Sequence, residues 1–303
     1  MTEASLPPES LRQLVDAAAG KQSVSWQRPH TGLSSAERFV VKFSDGSGVF
    51  VKAAVDFETG AWLRAEQRML ATLQGTFVPR VITWVEDPGQ PVLITEDLSG
   101  AYWPADQESV VWRPGQFEIL FDTLRTLSGI EAPPWLPAAA PVARSIWRTI
   151  EREADQFLAL GLCSESWFRQ AVDGLIEAEE GLQWTGDSLV HNDVRSDNLC
   201  FAGDRLVLVD WGSACRGRPD HDLAAVASTL PLEGGPDPAV LMPNGGQWAA
   251  YRAAAASRRA YRSTRAPAWL RVVLRRLATI SLAWASATLD LPPWTGTHWS
   301  EIV

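Results

Sequence analysis

Residues 189–212 read Leu189-Val190-His191-Asn192-Asp193-Val194-Arg195-Ser196-Asp197-Asn198-Leu199-Cys200-Phe201-Ala202-Gly203-Asp204-Arg205-Leu206-Val207-Leu208-Val209-Asp210-Trp211-Gly212. An apolar pair leads into a polar loop that carries His191, Asp193, Arg195 and Asn198 at fixed offsets. Two short β-prone runs then flank Gly203-Asp204, a pattern that predicts a hairpin ending at Asp210. Such a hairpin brings Asp193, Asn198 and Asp210 together at one end. Phosphoryl transfer needs a carboxylate to orient the attacking hydroxyl, oxygen ligands for magnesium, and positive charge on the migrating group. Asp193 suits the first role, Asn198 and Asp210 the second, and Arg195 is the candidate for the third. Magnesium takes only one or two oxygens from protein and completes its shell with phosphate and water, so two ligands are enough.

The spacing His191-x-Asp193-x-x-x-x-Asn198, followed by Asp210-Trp211-Gly212, resembles the catalytic loop and metal-binding Asp-Phe-Gly of the kinase superfamily. In particular it is similar to the aminoglycoside phosphotransferase and choline kinase family. That resemblance implies an α+β, two-lobed protein-kinase-like fold, with a small antiparallel-sheet N-lobe over 1–98 and a larger helical C-lobe over 99–303. It also implies ATP and Mg2+ as cofactors, with ATP between the lobes, and a structural rather than basic role for His191. A polar hairpin on the rim of an ordinary α/β domain is the plain alternative. Two linked motifs at the right separation weigh against it.

At 303 residues and 46% hydrophobic content, the chain can bury one large core or two smaller ones. Its net charge of -9 disfavours nucleic acid or anionic membrane as the main partner, because both require clustered positive charge. A nucleotide in a local basic pocket stays compatible with that charge. Cys163, Cys200 and Cys215 show no paired spacing, so no disulfide framework is expected, in keeping with a reducing cytoplasm. The first eight residues lack a signal-peptide pattern. The apolar run near Ile280, flanked by Arg271, Arg275 and Arg276, falls short of a membrane span and reads as a core helix. A cytoplasmic location is expected.

Ser10 can cap a first helix with Leu11, Leu14, Val15 and Ala18 on one face, and Gly20 would end it. Phe39 to Phe43 and Val49 to Lys52 then read as a hairpin about Asp45-Gly46-Ser47-Gly48. The preceding Gly32-Leu33-Ser34-Ser35 loop could turn backbone amides toward phosphate, and it is similar to the family's degenerate phosphate loop. A simple hairpin connection would carry similar residues. Lys52 ends its strand among apolar neighbours that would hold its stem while the ammonium reaches a phosphate. Phe57 to Leu73 has helical spacing; by resemblance Glu66 on that helix fixes the ammonium, with Glu58 the rival partner. Val81 to Glu86 and Val92 to Thr95 read as strands about a turn at Asp87-Pro88-Gly89-Gln90, before the chain breaks at Glu96-Asp97-Leu98-Ser99-Gly100. In the kinase fold that break is the hinge, so the Glu96 carbonyl and the Leu98 amide become the candidates for the adenine edge. Helices are expected over 117–127, 146–160 and 167–182.

No long activation segment or Ala-Pro-Glu signature follows Asp210. Instead Gly217-Arg218-Pro219-Asp220-His221-Asp222-Leu223-Ala224 resembles an element of small-molecule kinases in which Asp222 would cap a helix and brace the catalytic loop. The acceptor implied is a small molecule with a hydroxyl. After Asp222 only Glu233, Asp237, Asp290 and Glu301 are acidic, and the acids that could still meet a cationic acceptor lie earlier, in Glu151, Glu153 and Asp155. Trp147, Trp248, Trp294 and Trp299 fall where the family's acceptor cleft would lie, although most tryptophans are core filler. The leading expectation is an ATP-dependent O-phosphotransferase acting on an antibiotic, either an aminoglycoside or a nucleoside- or sugar-containing compound, and so conferring resistance. A housekeeping sugar, choline-like or nucleoside kinase and a catalytically silent kinase-like binding module are the alternatives. Ser34-Ser35 and Asp210-Trp211-Gly212 depart from stricter kinase patterns, which leaves GTP open as donor.

Overall fold

The computed structural model describes residues 7–29, 36–87, 90–105, 109–263 and 265–303. The chain forms two compact units, one of Met1–Thr123 with His191–Ala214 and the other of Leu124–Val190 with Cys215–Val303.

In the first unit, α1 (Glu9–Ala19) starts after Pro8 and ends at Gly20, whose φ of 63° is the left-handed closure glycine permits. Ser10 lies inside the first turn and is not the cap, since Pro8 takes that place with no side-chain bond. Strands β1 (Ser23–Gln27), β2 (Glu37–Phe43) and β3 (Gly48–Ala53) follow, then α2 (Phe57–Thr72), β4 (Val81–Val85) and β5 (Val92–Glu96). They build one antiparallel sheet in the order β1-β2-β3-β5-β4.

Period-two alternation gives this sheet two different faces. Phe39, Val41, Phe43, Val49, Val51, Val92 and Ile94 pack with Leu11 and Val15 of α1 as a dry core. The intervening positions, Arg38, Val40, Phe50, Lys52 and Thr95, lie on the other face and line a cavity. Helix α2 is started by a capping box in which Thr59 N–H donates to the Asp56 carboxylate at 2.8 Å.

After α3 (Gln116–Ser128) the second unit begins within the same helix. The expected helix over 146–160 is two: α4 (Ile146–Arg152) and α5 (Ala154–Leu158). Glu153 leaves the helical region at φ −106°, ψ 27°, with its carboxylate bound by Tyr261 Oη at 2.6 Å and by Arg262. Next come α6 (Glu165–Gly181), capped by Ser164, and β6 (Ser188–Val190).

The chain then returns to the first unit for β7 (Leu199–Ala202) and β8 (Arg205–Leu208) before closing the second unit with β9 (Cys215–Gly217), α7 (His221–Ala227), α8 (Pro238–Leu241), α9 (Gly246–Arg262) and α10 (Ala268–Thr288). Strands β6 and β9 pair with each other. The apolar run around Ile280 is a core helix, as its sequence suggested, and no helix among the described residues is long and apolar enough to cross a membrane.

Trp147, Phe157, Trp248, Leu282 and Trp284 sit in the core of the second unit, and Trp147 donates its indole N–H to the Ala250 carbonyl at 2.8 Å. Trp147 and Trp248 are therefore packing residues. Asp222 is buried in the first turn of α7, whose N-cap is Asp220, so Asp222 does not cap that helix. The three cysteines are free, and burial pushes each thiol up to about 12.

Candidate active site

The stretch from His191 to Gly212 forms the expected hairpin. Strands β7 and β8 pair in register from Leu199–Leu208 to Ala202–Arg205, and Gly203 turns the chain at φ 65°. Beyond the strands, Val209 N–H donates to the Asn198 carbonyl at 2.9 Å, so Asn198 and Asp210 emerge together at the open end. Asn192 and Asp210 hold left-handed backbone, φ 68° and 63°, which short polar side chains tolerate better than most.

His191 ties the two arms of the hairpin. Its Nε2 lies 2.9 Å from the Val209 carbonyl, and a carbonyl only accepts, so the proton is on Nε2. Nδ1 then accepts the Asp193 N–H at 3.3 Å. Burial pushes this imidazole down to about 4, and its ring meets Trp211 edge-on at 4.5 Å. With both nitrogens committed, His191 braces the loop in neutral form.

Asp193 lies next to that brace. Burial raises its carboxyl above the usual range, opposed by the charge of Arg195 and a hydrogen bond from Asn198. Asn198 Nδ2 donates to both the carbonyl (3.0 Å) and the carboxylate (2.7 Å) of Asp193. This fixes the amide and leaves its Oδ1 as a hard oxygen with no hydrogen bond among the described residues. Arg195 forks onto Asp197 at 2.9 and 3.0 Å, with its charge 3.5 Å from Asp193.

Across the cavity, Lys52 Nζ sits 2.8 and 2.9 Å from the two oxygens of Glu66 and is also bonded to Asp210. Glu58, the rival partner, is in the first turn of α2. Burial alone would depress the Lys52 pKa, but Glu66 and Asp210 more than reverse it, so the ammonium stays charged. The same ammonium, with help from Arg38, holds Asp210 below the ordinary carboxylate range. Arg38 stands directly opposite Lys52 in the β2–β3 register. Two cations on one face of a strand pair repel, and the acids nearby offset this.

These groups line a cavity of about 580 Å³. Lys52, Arg38, Glu66, Asn198 and Asp210 form a polar part, while Val40, Phe50, Val209, Leu98 and Trp103 supply apolar wall. Asp193 and Arg195 are not lining residues; Asp193 connects to the cavity through Asn198. At the end of β5, Glu96 lines the cavity while its carboxylate accepts from Arg205 at 2.8 Å and from Arg80 N–H at 2.9 Å. The Leu98 carbonyl accepts from Ala101 N–H and from Trp103 Nε1. Ser34 and Ser35 lie outside the described residues.

No group of three His, Cys, Asp or Glu side chains suited to a metal exists among the described residues. The amide oxygen of Asn198 and the carboxylate of Asp210 are nevertheless a hard pair of the kind magnesium accepts when phosphate and water complete its shell. Sequence reasoning did not single out Arg38, Asp197 or Trp103. For Arg38 a signal existed: it shares strand parity with Val40, opposite to the core residues Phe39 and Val41.

Residues 25–267 match the phosphotransferase enzyme family. No curated protein matches the sequence. Among solved structures, the apoenzyme of macrolide 2′-phosphotransferase MphH from Brachybacterium faecium superposes with a TM-score of 0.53 at 17% identity, covering 94% of this chain and 99% of that one. An aminoglycoside-3′-phosphotransferase of type VIII gives 0.47 at 20% identity, over 88% of this chain and 97% of the other. A choline/ethanolamine kinase family protein from Mesorhizobium loti gives 0.42 at 18%, over 92% and 85%. Of the three, the first alone exceeds 0.5, and at that identity it shows a shared kinase-like fold. The family match spans most of the sequence: the chain belongs to the phosphotransferase enzyme family and is a small-molecule kinase.

Proposed function

We propose that the chain transfers the terminal phosphoryl group of ATP, with Mg2+, to a hydroxyl of a small molecule. The observation that carries this reading is the convergence of Lys52, Glu66, Asp210 and Asn198 on one cavity, with Asp193 hydrogen-bonded to Asn198. Lys52 contacts phosphate oxygens as a point charge while Glu66 keeps it aimed. Asn198 and Asp210 would hold Mg2+, which neutralises charge on the migrating phosphoryl group. Asp193 orients the acceptor hydroxyl and takes its proton, a task that its raised pKa favours. Arg195 adds positive charge beside Asp193 from a position fixed by its fork on Asp197. The Ser34-Ser35 loop would contact the phosphates, and the Glu96 carbonyl and Leu98 amide the base. The proposed change of lobe at residue 98, at the end of the base-binding segment, divides the chain by function and differs from the compact units, the first of which runs on to Thr123 and includes His191–Ala214.

For the acceptor we propose an antibiotic hydroxyl. Support comes from the family match and from the macrolide 2′-phosphotransferase that shares the fold. A polycationic acceptor finds fewer open acids than the sequence suggested, because Glu153 is bound by Arg262 and Tyr261.

The test is ADP release from Mg-ATP across macrolide, aminoglycoside and nucleoside acceptors, with a susceptibility assay in a host expressing the chain. Asp193→Ala should abolish turnover while ATP still binds, and Asp210→Ala should lose Mg-dependent ATP binding. Normal turnover by Asp193→Ala would refute the assigned roles, and unchanged susceptibility together with turnover of a common metabolite would refute the antibiotic reading.

A further inference from the structure

We propose that Trp103 makes the cavity selective for adenine over guanine nucleotides. This deepens the nucleotide reading above and rests on it. The inference comes from which backbone groups at the end of β5 are engaged and which are left open.

Glu96 N–H donates to the Arg80 carbonyl at 2.9 Å, so the Glu96 carbonyl faces the same edge of the strand. The ladder partner for that carbonyl would be Arg80 N–H. Arg80 N–H instead donates to the Glu96 carboxylate, also at 2.9 Å, which releases the carbonyl from the ladder. Two residues on, the Leu98 N–H has no hydrogen-bond partner among the described residues. The Leu98 carbonyl has two: Ala101 N–H at 3.0 Å and Trp103 Nε1–H at 3.1 Å. Both of its lone pairs are thereby filled. Trp103 cannot easily withdraw, because the neighbouring Tyr102 exchanges two backbone bonds with Phe201 of β7, at 2.9 and 2.7 Å. Glu96, Leu98 and Trp103 all line the cavity.

The open edge therefore offers an acceptor at Glu96, a donor at Leu98 and no further acceptor. Adenine presents a donor at its 6-amino group beside an acceptor at N1, which complements that order. Guanine presents the reverse, an acceptor at O6 beside a donor at N1. In the adenine position it would set acceptor against acceptor and donor against donor. Sliding guanine by one step puts O6 on the Leu98 N–H, but its N1–H then needs the Leu98 carbonyl, which Trp103 and Ala101 saturate. A buried polar group left without a partner is the stronger form of rejection, because the desolvation cost is not recovered.

The experiment is a displacement titration of the full chain with ADP, GDP and IDP in the presence of Mg2+, for the natural protein and for Trp103→Phe. IDP carries the O6 and N1–H pattern of GDP without its 2-amino group. The natural protein should bind ADP roughly ten- to a hundredfold more tightly than either GDP or IDP. Trp103→Phe frees one lone pair of the Leu98 carbonyl and should bring all three within about threefold. If Trp103 only supports the wall, the substitution weakens all three in parallel and leaves the ratio unchanged, which would overturn the inference. IDP binding as tightly as ADP would also overturn it, since discrimination would then lie at the 2-amino group. If none of the three binds, the nucleotide reading fails and this inference fails with it, an outcome distinct from equal binding.

Discussion

Replacing His191 by Phe keeps the ring volume against Trp211 but removes both of its hydrogen bonds. The Val209 carbonyl, 2.9 Å from Nε2, and the Asp193 N–H, 3.3 Å from Nδ1, are then left without partners. Each orphaned group costs about 1–3 kcal/mol, so the variant should be roughly 2–6 kcal/mol less stable at pH 7.5. The natural imidazole carries a second signature. Its pKa falls to about 4 on burial, whereas in the unfolded chain it titrates near 6.5. Because the folded form resists the proton, its stabilising contribution is complete above about pH 6.5 and shrinks as pH falls toward 4. At pH 5.5 the loss is about 1.4 kcal/mol, one full pH unit below the unfolded value. Phe does not titrate, so the stability gap between the two proteins should narrow by that amount between pH 7.5 and 5.5. Urea unfolding of both proteins at each pH measures the gap, and groups common to both, His221 included, cancel in the difference. A gap that stays constant across the range would mean that His191 is not the neutral, doubly bonded brace described here.

A Cβ at Gly48 would overlap the Asp97 carboxylate and lie 3.1 Å from the Val41 carbonyl. Gly48→Ala should therefore dislodge the Lys42–Asp97 ion pair and cost about 1–3 kcal/mol, read as a lower Tm. Glu66→Gln leaves Asp210 as the sole carboxylate bonded to Lys52, so the ammonium should compete harder with magnesium. The Mg2+ concentration for half-maximal ADP binding should then rise about tenfold, and an unchanged midpoint would rule out competition at Asp210. Cys200 and Cys215 are buried with thiols held near 12, so alkylation at pH 8 should be slow in the folded chain and fast in urea; rapid labelling of the native protein would contradict that burial.

Much of the architecture could be read from local chemistry. The hairpin of β7 and β8 follows from β-branched and aromatic runs about a glycine, and α2 from its apolar spacing. What escaped was set by contacts far apart in sequence. The break at Glu153 depends on Tyr261 and Arg262, 108 and 109 residues away, which no helical periodicity in 146–160 contains. Burial of Trp147 and Trp248 depends on how helices pack, because the same side chain serves a core or a binding wall. The tautomer of His191 required the position of Val209, and the role of Trp103 required knowing that its indole reaches back to Leu98. Asp222 reads as a helix cap from sequence because caps and first-turn acids share residue types; Asp220 occupies the cap instead.

Charge around the cavity bears on the magnesium proposed for Asn198 and Asp210. Lys52 and Arg38 stand opposite one another on β3 and β2, and Glu66 and Asp210 lie beside them. Arg195 is committed to Asp197, and Arg28 to Glu37 at 2.9 Å. Two cations against two carboxylates leave the polar part close to neutral. A triphosphate is a polyanion, so a neutral cavity holds it poorly unless further positive charge arrives with it. In the proposed reaction Asn198 and Asp210 would hold a dication that supplies that charge, and Lys52, kept in place by Glu66, would be left to meet phosphate. Asp210 would thus be shared between two cations in that reaction, and the bidentate hold of Glu66 on Lys52 would keep the buried ammonium paired.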